Sequence, residues 1–348
     1  MTATIPAGVE TARDLVGPAI AAAVSRLSPD VRSGAAYHLG LADATGQPGS
    51  GQPGRADGRP GGAGKALRPA LALLSARAAR TAPERGVAAA AAVELVHNFS
   101  LVHDDIMDGD TERRHRPTAW TVFGVGAAIL AGDALLVLAQ DILLEGPAPQ
   151  GLWASRCLSA SVQRLIAGQG ADLAFERRTD VTLDECLEMA GDKTAALMAC
   201  ACSIGAIYVG APAELAMGLA GFGAHAGLAF QLTDDLLGIW GAPEVTGKPV
   251  RSDLRTRKKS LPVVAALTSG SKPGDELGAL LSSAGPLSED DLLRAADLVE
   301  AAGGRAWAEA EADVQLASAG KCLAETDMPA DVRAEFAGIA EFITARQS

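Results

Sequence analysis

Apolar residues along this chain recur at steps of three and four, with few alternating β-branched runs, and alanine and leucine dominate them, a pattern that predicts helices instead of strands. Clusters at Gly146-Pro147-Ala148-Pro149, Gly210-Ala211-Pro212, Gly241-Ala242-Pro243 and Ser269 to Pro273 punctuate it, so the chain after residue 65 divides into helical stretches of about 20 to 30 residues. Residues 9–42 read as one or two further helices. The predicted class is all-α, a large antiparallel helix bundle. Between Thr45 and Gly64, eight glycines and three prolines fill eleven of twenty positions, a composition that buries too little surface to offset its ordering entropy. That segment predicts a flexible loop at 45–64. A 44-residue unit before it would be near the lower size limit for independent folding, so 1–348 is read as one domain. Neither a fixed-period repeat nor a dinucleotide-binding glycine motif is evident.

Composition narrows the function classes. With 348 residues, 48% of them hydrophobic, the chain can bury a large core. Its formal net charge of -12 disfavours sequence-independent binding to nucleic acid or anionic lipid, so any bound anion must meet a local basic cluster. No uninterrupted apolar run approaches the roughly 18 residues of a membrane span, and the first fifteen residues carry Glu10, Arg13 and Asp14. The expectation is a cytoplasmic protein without a membrane span. The five cysteines, an odd number without metal-site spacing, read as buried reduced thiols.

The segment Glu94 to Thr118, ELVHNFSLVHDDIMDGDTERRHRPT, carries the most chemistry. On a helix Leu95, Phe99, Val102 and Ile106 form an apolar stripe, and His97, Leu101, Asp104 and Asp108 form a second one beside it. Asp104 and Asp108 lie one turn apart with Asp105 adjacent, so three carboxylates crowd a patch that needs opposing charge. Mg²⁺ answers that need, because it takes one or two carboxylates and keeps water and substrate phosphates as its remaining ligands. A second pair, Asp234 and Asp235 in Phe230 to Trp240 (FQLTDDLLGIW), shares a stripe with Gln231 and Gly238. Two such pairs on apolar helices can face each other across a bundle and clamp metal ions.

Cations accompany them. Arg113 and Arg114 follow the first cluster, Lys193-Thr194 opens a helical stretch, and six basic residues fall within positions 248–259: Lys248, Arg251, Arg255, Arg257, Lys258 and Lys259. Lys65 and Arg68 stand three apart at a helix start, where the backbone dipole adds attraction for phosphate. Without interleaved aromatics this basic stretch is a poor nucleic-acid surface.

Together these residues resemble the trans-type isoprenyl diphosphate synthases, which include farnesyl and geranylgeranyl diphosphate synthases. The resemblance runs from about Gly64 to Pro262: DDxxD and RRxxPT at Asp104, Asp105, Asp108, Arg113, Arg114, Pro117 and Thr118; the pair Lys193 and Thr194; FQxxDD at Phe230, Gln231, Asp234 and Asp235; and a tail at Gly247, Lys248, Asp253, Leu254, Lys258, Leu261 and Pro262. It implies antiparallel helices around a deep cavity, usually in a homodimer. It implies three Mg²⁺ held by Asp104, Asp108 and Asp234, with Asp105 and Asp235 supporting them. An allylic diphosphate (dimethylallyl, geranyl or farnesyl) would bind there with Arg113, Lys193, Lys248 and Lys258, and ionise. Isopentenyl diphosphate, held by Lys65, Arg68, His97 and Arg114, would attack it, with Thr194 and Gln231 near the reacting carbons and Phe230 part of the binding motif. Phe99 matches the position where an aromatic often floors the cavity, and with no insertion in the motif this resembles synthases stopping near C20; Ser100, closer beneath Asp104 by helix geometry, leaves C15 or longer open.

This chain departs from the family pattern at Gly238, where many relatives have a third Asp, and at His115, where glycine is usual. The Gly238 departure implies weakened support of the second pair without loss of activity. A terpene cyclase is the nearest rival, but its Asn-Asp…Ser…Glu motif cannot exist in a chain whose only asparagine is Asn98. A non-catalytic partner subunit is the other rival, and the intact Asp104 to Asp108 motif argues against it.

Overall fold

The computed structural model describes residues 7–47, 66–114, 116–242 and 250–344. Most of the 45–64 segment, with Lys65, His115 and Lys248, lies outside the described residues. The fold is all-α, as expected, and its one sheet among those residues is a hairpin pairing Glu112 with Pro117 and Arg113 with Arg116. A strand of two residues is too short to show any periodicity in sequence.

Helices α1 (Ala7–Ser25) and α2 (Pro29–His38) lead into α3 (Leu67–Ala78) and α4 (Val87–Met107). After the hairpin come α5 (Ala119–Phe123), α6 (Val125–Leu144), α7 (Gln150–Phe175), α8 (Leu183–Ala190), α9 (Ala196–Tyr208) and α10 (Ala213–Trp240). Shorter helices follow: α11 (Ser252–Arg255), α12 (Leu261–Leu267), α13 (Lys272–Leu281) and α14 (Glu289–Ala301), and then α15 (Gly304–Glu325) and α16 (Ala330–Thr344). The expected lengths therefore hold for α4, α6, α7, α10 and α15, whereas α12 to α14 break into seven to thirteen residues. Serine caps at Ser271 and Ser288, which the glycine–proline reading did not use, start two of these short helices by accepting the backbone amides of Gly274 and Asp291.

One large hydrophobic cluster runs through α1, α3, α4, α6, α7, α9, α10 and α16, with α4 packed on α3, α6 and α9, and α10 packed on α9 and α15. A second cluster, including Phe175, Cys186, Leu232, Leu236 and Leu261, ties α7, α8, α10 and α12 together beneath the second acidic pair.

Two expectations need correction. By length and composition three helices could cross a membrane: Pro83–Met107, Val125–Leu144 and Ala213–Trp240. The first and third carry the acidic motifs, which break the apolar run in sequence without lowering the hydropathy of the flanking window enough to exclude it. The cysteines are unpaired, but only Cys186, Cys200 and Cys202 are buried; Cys157 and Cys322 are partly exposed because their helices present them at the margin of the core.

Candidate active site

In α4 the stripe Leu95, Phe99 and Val102 is buried, with Ile106 partly so, and this turns His97, Asp104 and Asp108 to the opposite side. Asp108 caps the helix, its amide bonded to the Asp104 carbonyl at 2.8 Å. Asp105 is 1% exposed, and Arg113 Nε donates to its Oδ1 at 2.6 Å. Its Oδ2 is enclosed without a hydrogen-bond partner. Arg113 reaches there from the hairpin, which turns at Arg114 in the left-handed region with φ 54°. Burial pushes the Asp104 carboxyl up to about 6; repulsion from Asp108 and Asp105 adds to this, and Lys193 and Arg113 oppose it.

On α10, Asp234 is exposed and Asp235 is buried. Asp235 Oδ1 accepts from Gln231 Nε2 at 2.8 Å, and its Oδ2 accepts from the Leu261 amide at 2.9 Å. Thr194 Oγ1 donates to Gln231 Oε1 at 2.6 Å, so a relay joins Thr194, Gln231 and Asp235. Burial raises the Asp235 carboxyl to about 6 against the pull of Lys258, whose Nζ is 3.9 Å away.

Two lysines link these helices. Lys193 lies in a π-helical turn, Gly191–Ala195, between α8 and α9, and pairs with Asp172 of α7 at 2.5 Å. A Cβ at Gly168 would lie 2.3 Å from the Lys193 amide nitrogen, so only glycine lets α7 approach the turn this closely. Burial depresses Lys258, but Asp235, Asp253, Asp172 and Asp234 together hold it well above the usual lysine range. The Asp108 carboxyl, raised by burial, is drawn back by Lys193 and by Lys258. Lys258 is therefore the cation on which both acidic helices act, while Lys193 acts on Asp104 and Asp108 of α4.

Arg68 Nη1 lies 3.3 Å from His97 Nε2. Burial, followed by Arg68 and Arg114, depresses His97 well below its ordinary range and keeps it neutral. Glu94 interacts electrostatically with Arg68, and Asn98 Nδ2 donates to its Oε1 at 3.1 Å. Phe99 stacks edge-on against His103, centroids 5.0 Å apart, and His103 Nε2 is 3.1 Å from the Ile129 carbonyl. Ser100 turns its hydroxyl back to the His97 carbonyl at 2.8 Å. Phe230 packs at the edge of the main cluster. In the basic stretch, Arg255 pairs with Glu289 and Arg257 Nη2 donates to the Gly285 carbonyl, which leaves Lys258 facing the carboxylates.

Sequence reasoning missed Asp172 and Glu94 as site residues and carried Asp253 only as part of the tail motif. Glu94 could have been found as the lone acid in the run VAAAAAVELV, and Asp172 as the lone charge in the run LIAGQGADLAF. Gly238 is not a gap either: a Cβ there would meet Asp253 Oδ2 at 2.4 Å and its Cγ at 2.5 Å. The Asp253 carboxylate of α11 occupies the space beside this glycine.

The side chains fit hard divalent cations. They offer oxygen donors, an enclosed carboxylate oxygen on Asp105 without a hydrogen-bond partner, and an Asp104 carboxyl raised by burial and then by Asp108 and Asp105 beside it. Among the described residues no three acidic, histidine or cysteine side chains converge to hold a metal unaided, so such an ion needs oxygens from a ligand or water.

Residues 60–299 match the sequence model of the family described as Polyprenyl synthetase. The chain is 46% identical over 340 residues to the (2E,6E)-farnesyl diphosphate synthase of Mycobacterium tuberculosis, covering 97% of this chain and 92% of that one. It is 43% identical over 313 residues to the geranylgeranyl diphosphate synthase of the same organism, covering 89% of this chain and 86% of that one. The crystal structure of a polyprenyl synthetase from Streptomyces coelicolor superposes with a TM-score of 0.90 at 48% identity, covering 98% of this chain and 99% of that one.

Proposed function

The chain belongs to the polyprenyl synthetase family, and from that premise we propose that it condenses isopentenyl diphosphate with an allylic diphosphate, head to tail, to give a trans-prenyl diphosphate of about C20. The observation that carries this reading is that Asp108 on α4 and Asp234 and Asp235 on α10 all bear on Lys258, with Lys193 and Asp172 between them.

Mg²⁺ ions bound through Asp104, Asp108 and Asp234 would neutralise the leaving diphosphate, which is the chemistry that lets an allylic carbon–oxygen bond ionise. The chain's own residues do the rest. Asp105 and Asp235 hold their helices in place through Arg113, Gln231 and the Leu261 amide. Lys193 and Lys258, with Lys248 and Arg113, bind the leaving diphosphate. Arg68, His97 and Arg114, with Lys65, bind isopentenyl diphosphate; His97 is neutral and so contributes one directional hydrogen bond instead of a charge. Thr194 and Gln231 lie near the reacting carbons. The allylic C–O bond breaks, the isopentenyl double bond supplies the pair for the new C–C bond, and the proton lost from the isopentenyl unit goes to the released pyrophosphate.

Phe99 is the proposed floor for the growing chain. A C15 product is the second reading, favoured by the 46% identity to a farnesyl diphosphate synthase. We also propose a homodimer joined through α6 and α7, where Val125, Leu130, Val137, Leu144, Trp153 and Ile166 are exposed; sedimentation tests that. The activity test is incubation with Mg²⁺, isopentenyl diphosphate and, in turn, dimethylallyl, geranyl or farnesyl diphosphate, followed by chain-length analysis. Extension of any of the three by five carbons supports the reading. Absence of condensation, or a cyclic hydrocarbon from the allylic substrate alone, overturns it.

A further inference from the structure

The hairpin that carries Arg113 and Arg114 has two residues in each strand, Glu112–Arg113 paired with Arg116–Pro117, and it turns through Arg114 at φ 54°. So short a ladder does not fix its own pose, since an isolated two-stranded hairpin is marginal in water. Three arginines within four positions, Arg113, Arg114 and Arg116, also repel one another. The orientation of the hairpin therefore has to come from elsewhere in the fold. Its first strand is tied to α4, where Arg113 Nε donates to Asp105 Oδ1 at 2.6 Å. Its second strand is held by a residue 80 positions earlier in the chain.

That residue is Tyr37, in the last turn of α2. Its hydroxyl donates to the Pro117 carbonyl at 2.9 Å. The Arg116 guanidinium lies over its ring, 4.4 Å from the centroid, so one side chain engages both residues of the second strand. The ring is itself fixed. Phe123 of α5 meets it edge-on with centroids 5.4 Å apart, and it is buried in a small cluster with Val102 of α4, Ala119 of α5 and Ala128 of α6. On either side of the hairpin, Thr118 Oγ1 and Trp120 Nε1 both donate to the Asp110 carbonyl, which fixes the chain between the acidic motif and α5. Filling the cluster needs only an apolar ring; the hydroxyl and the stacked cation are additional, and both act on the hairpin.

We propose that Tyr37 is a positioning residue: from α2 it holds the second strand of the hairpin through Arg116 and the Pro117 carbonyl, and so sets where Arg113 and Arg114 stand beside the acidic end of α4. This rests on the reading that these two arginines bind the substrate diphosphates. In consequence α2, which lies before every motif of the chain, takes part in diphosphate recognition through the hairpin.

The test compares Tyr37→Phe and Tyr37→Leu with wild type. Each is read by kcat and by KM for isopentenyl and geranyl diphosphates, by calorimetric affinity for inorganic pyrophosphate with Mg²⁺, and by the thermal unfolding midpoint. Tyr37→Phe keeps the ring under Arg116 and loses one hydrogen bond, so KM for both diphosphates rises about three- to tenfold while kcat at saturation changes by less than about twofold. Tyr37→Leu loses the stacked cation as well, so KM rises further, by about tenfold or more, and pyrophosphate binds correspondingly more weakly. Wild-type KM values and pyrophosphate affinity in both variants would overturn the proposal, and a fall in the unfolding midpoint without those changes would make Tyr37 a packing residue only. Should Tyr37→Leu not fold, Tyr37→Phe decides. A wild-type chain that binds pyrophosphate but extends no allylic substrate refutes the functional reading, while the pyrophosphate affinities of the variants still decide the role of Tyr37.

Discussion

At the scale of single residues, the charged side chains that stood out in the sequence are those that interrupt apolar helices. Asp104, Asp105, Asp234 and Asp235 each sit among leucines, and burial gives each member of the pair a distinct environment, with Asp105 and Asp235 enclosed and hydrogen-bonded and Asp108 and Asp234 open. Asp253 was visible in sequence only as part of a tail motif, because what matters about it is its approach to Gly238 from a separate helix. Phe99 is a further case. Its ring is buttressed by His103, which is fixed in turn by the Ile129 carbonyl, so the floor is built from two helices although the motif shows only one. Phe99→Ala is expected to lengthen the main product by at least one five-carbon unit, read by chromatography of the dephosphorylated alcohols. Products of unchanged length would remove Phe99 from that role.

At the scale of elements, the long helices were legible because their apolar steps persist over many turns, whereas the π-helical turn Gly191–Ala195 was not, since one extra residue in a turn leaves no trace in a three-and-four pattern. That turn sets where Lys193 points, and it is held by the contact at Gly168. Gly168→Ala inserts a methyl 2.3 Å from the Lys193 amide nitrogen. It is expected to cost about 1–3 kcal/mol of stability through overpacking and to lower kcat by displacing the Lys193–Asp172 pair. Chemical denaturation and steady-state kinetics measure the two effects. A substitution neutral in both would mean that α7 and the turn separate freely.

At the scale of the whole molecule, the all-α class followed from composition and from the spacing of apolar residues, while the N-terminal helices acquire meaning only in three dimensions. His38, at the end of α2, is pushed down to about 3, chiefly by burial and then by Arg114 and Arg113, and its Nε2 is enclosed without a partner. Folded His38 stays neutral while the unfolded chain protonates below its ordinary value of 6.5, so stability is full above pH 6.5 and falls as pH drops from there towards 3. The loss from this residue is about 2 kcal/mol between pH 6.5 and pH 5. Urea unfolding at pH 5 and pH 7.5 measures it, and His38→Gln should reduce the difference between the two; an equal difference in wild type and variant would assign the acid sensitivity elsewhere.

The claim on which the rest depends is that α4 and α10 form one metal–diphosphate site. Titration of Mn²⁺ into the protein in the presence of inorganic pyrophosphate, followed by electron paramagnetic resonance, tests it most directly when wild type is compared with Asp104→Ala and Asp234→Ala. The account predicts metal binding that depends on pyrophosphate and is lost or greatly weakened in both variants. Retention of wild-type binding in either one would mean that the two acidic helices do not share a site.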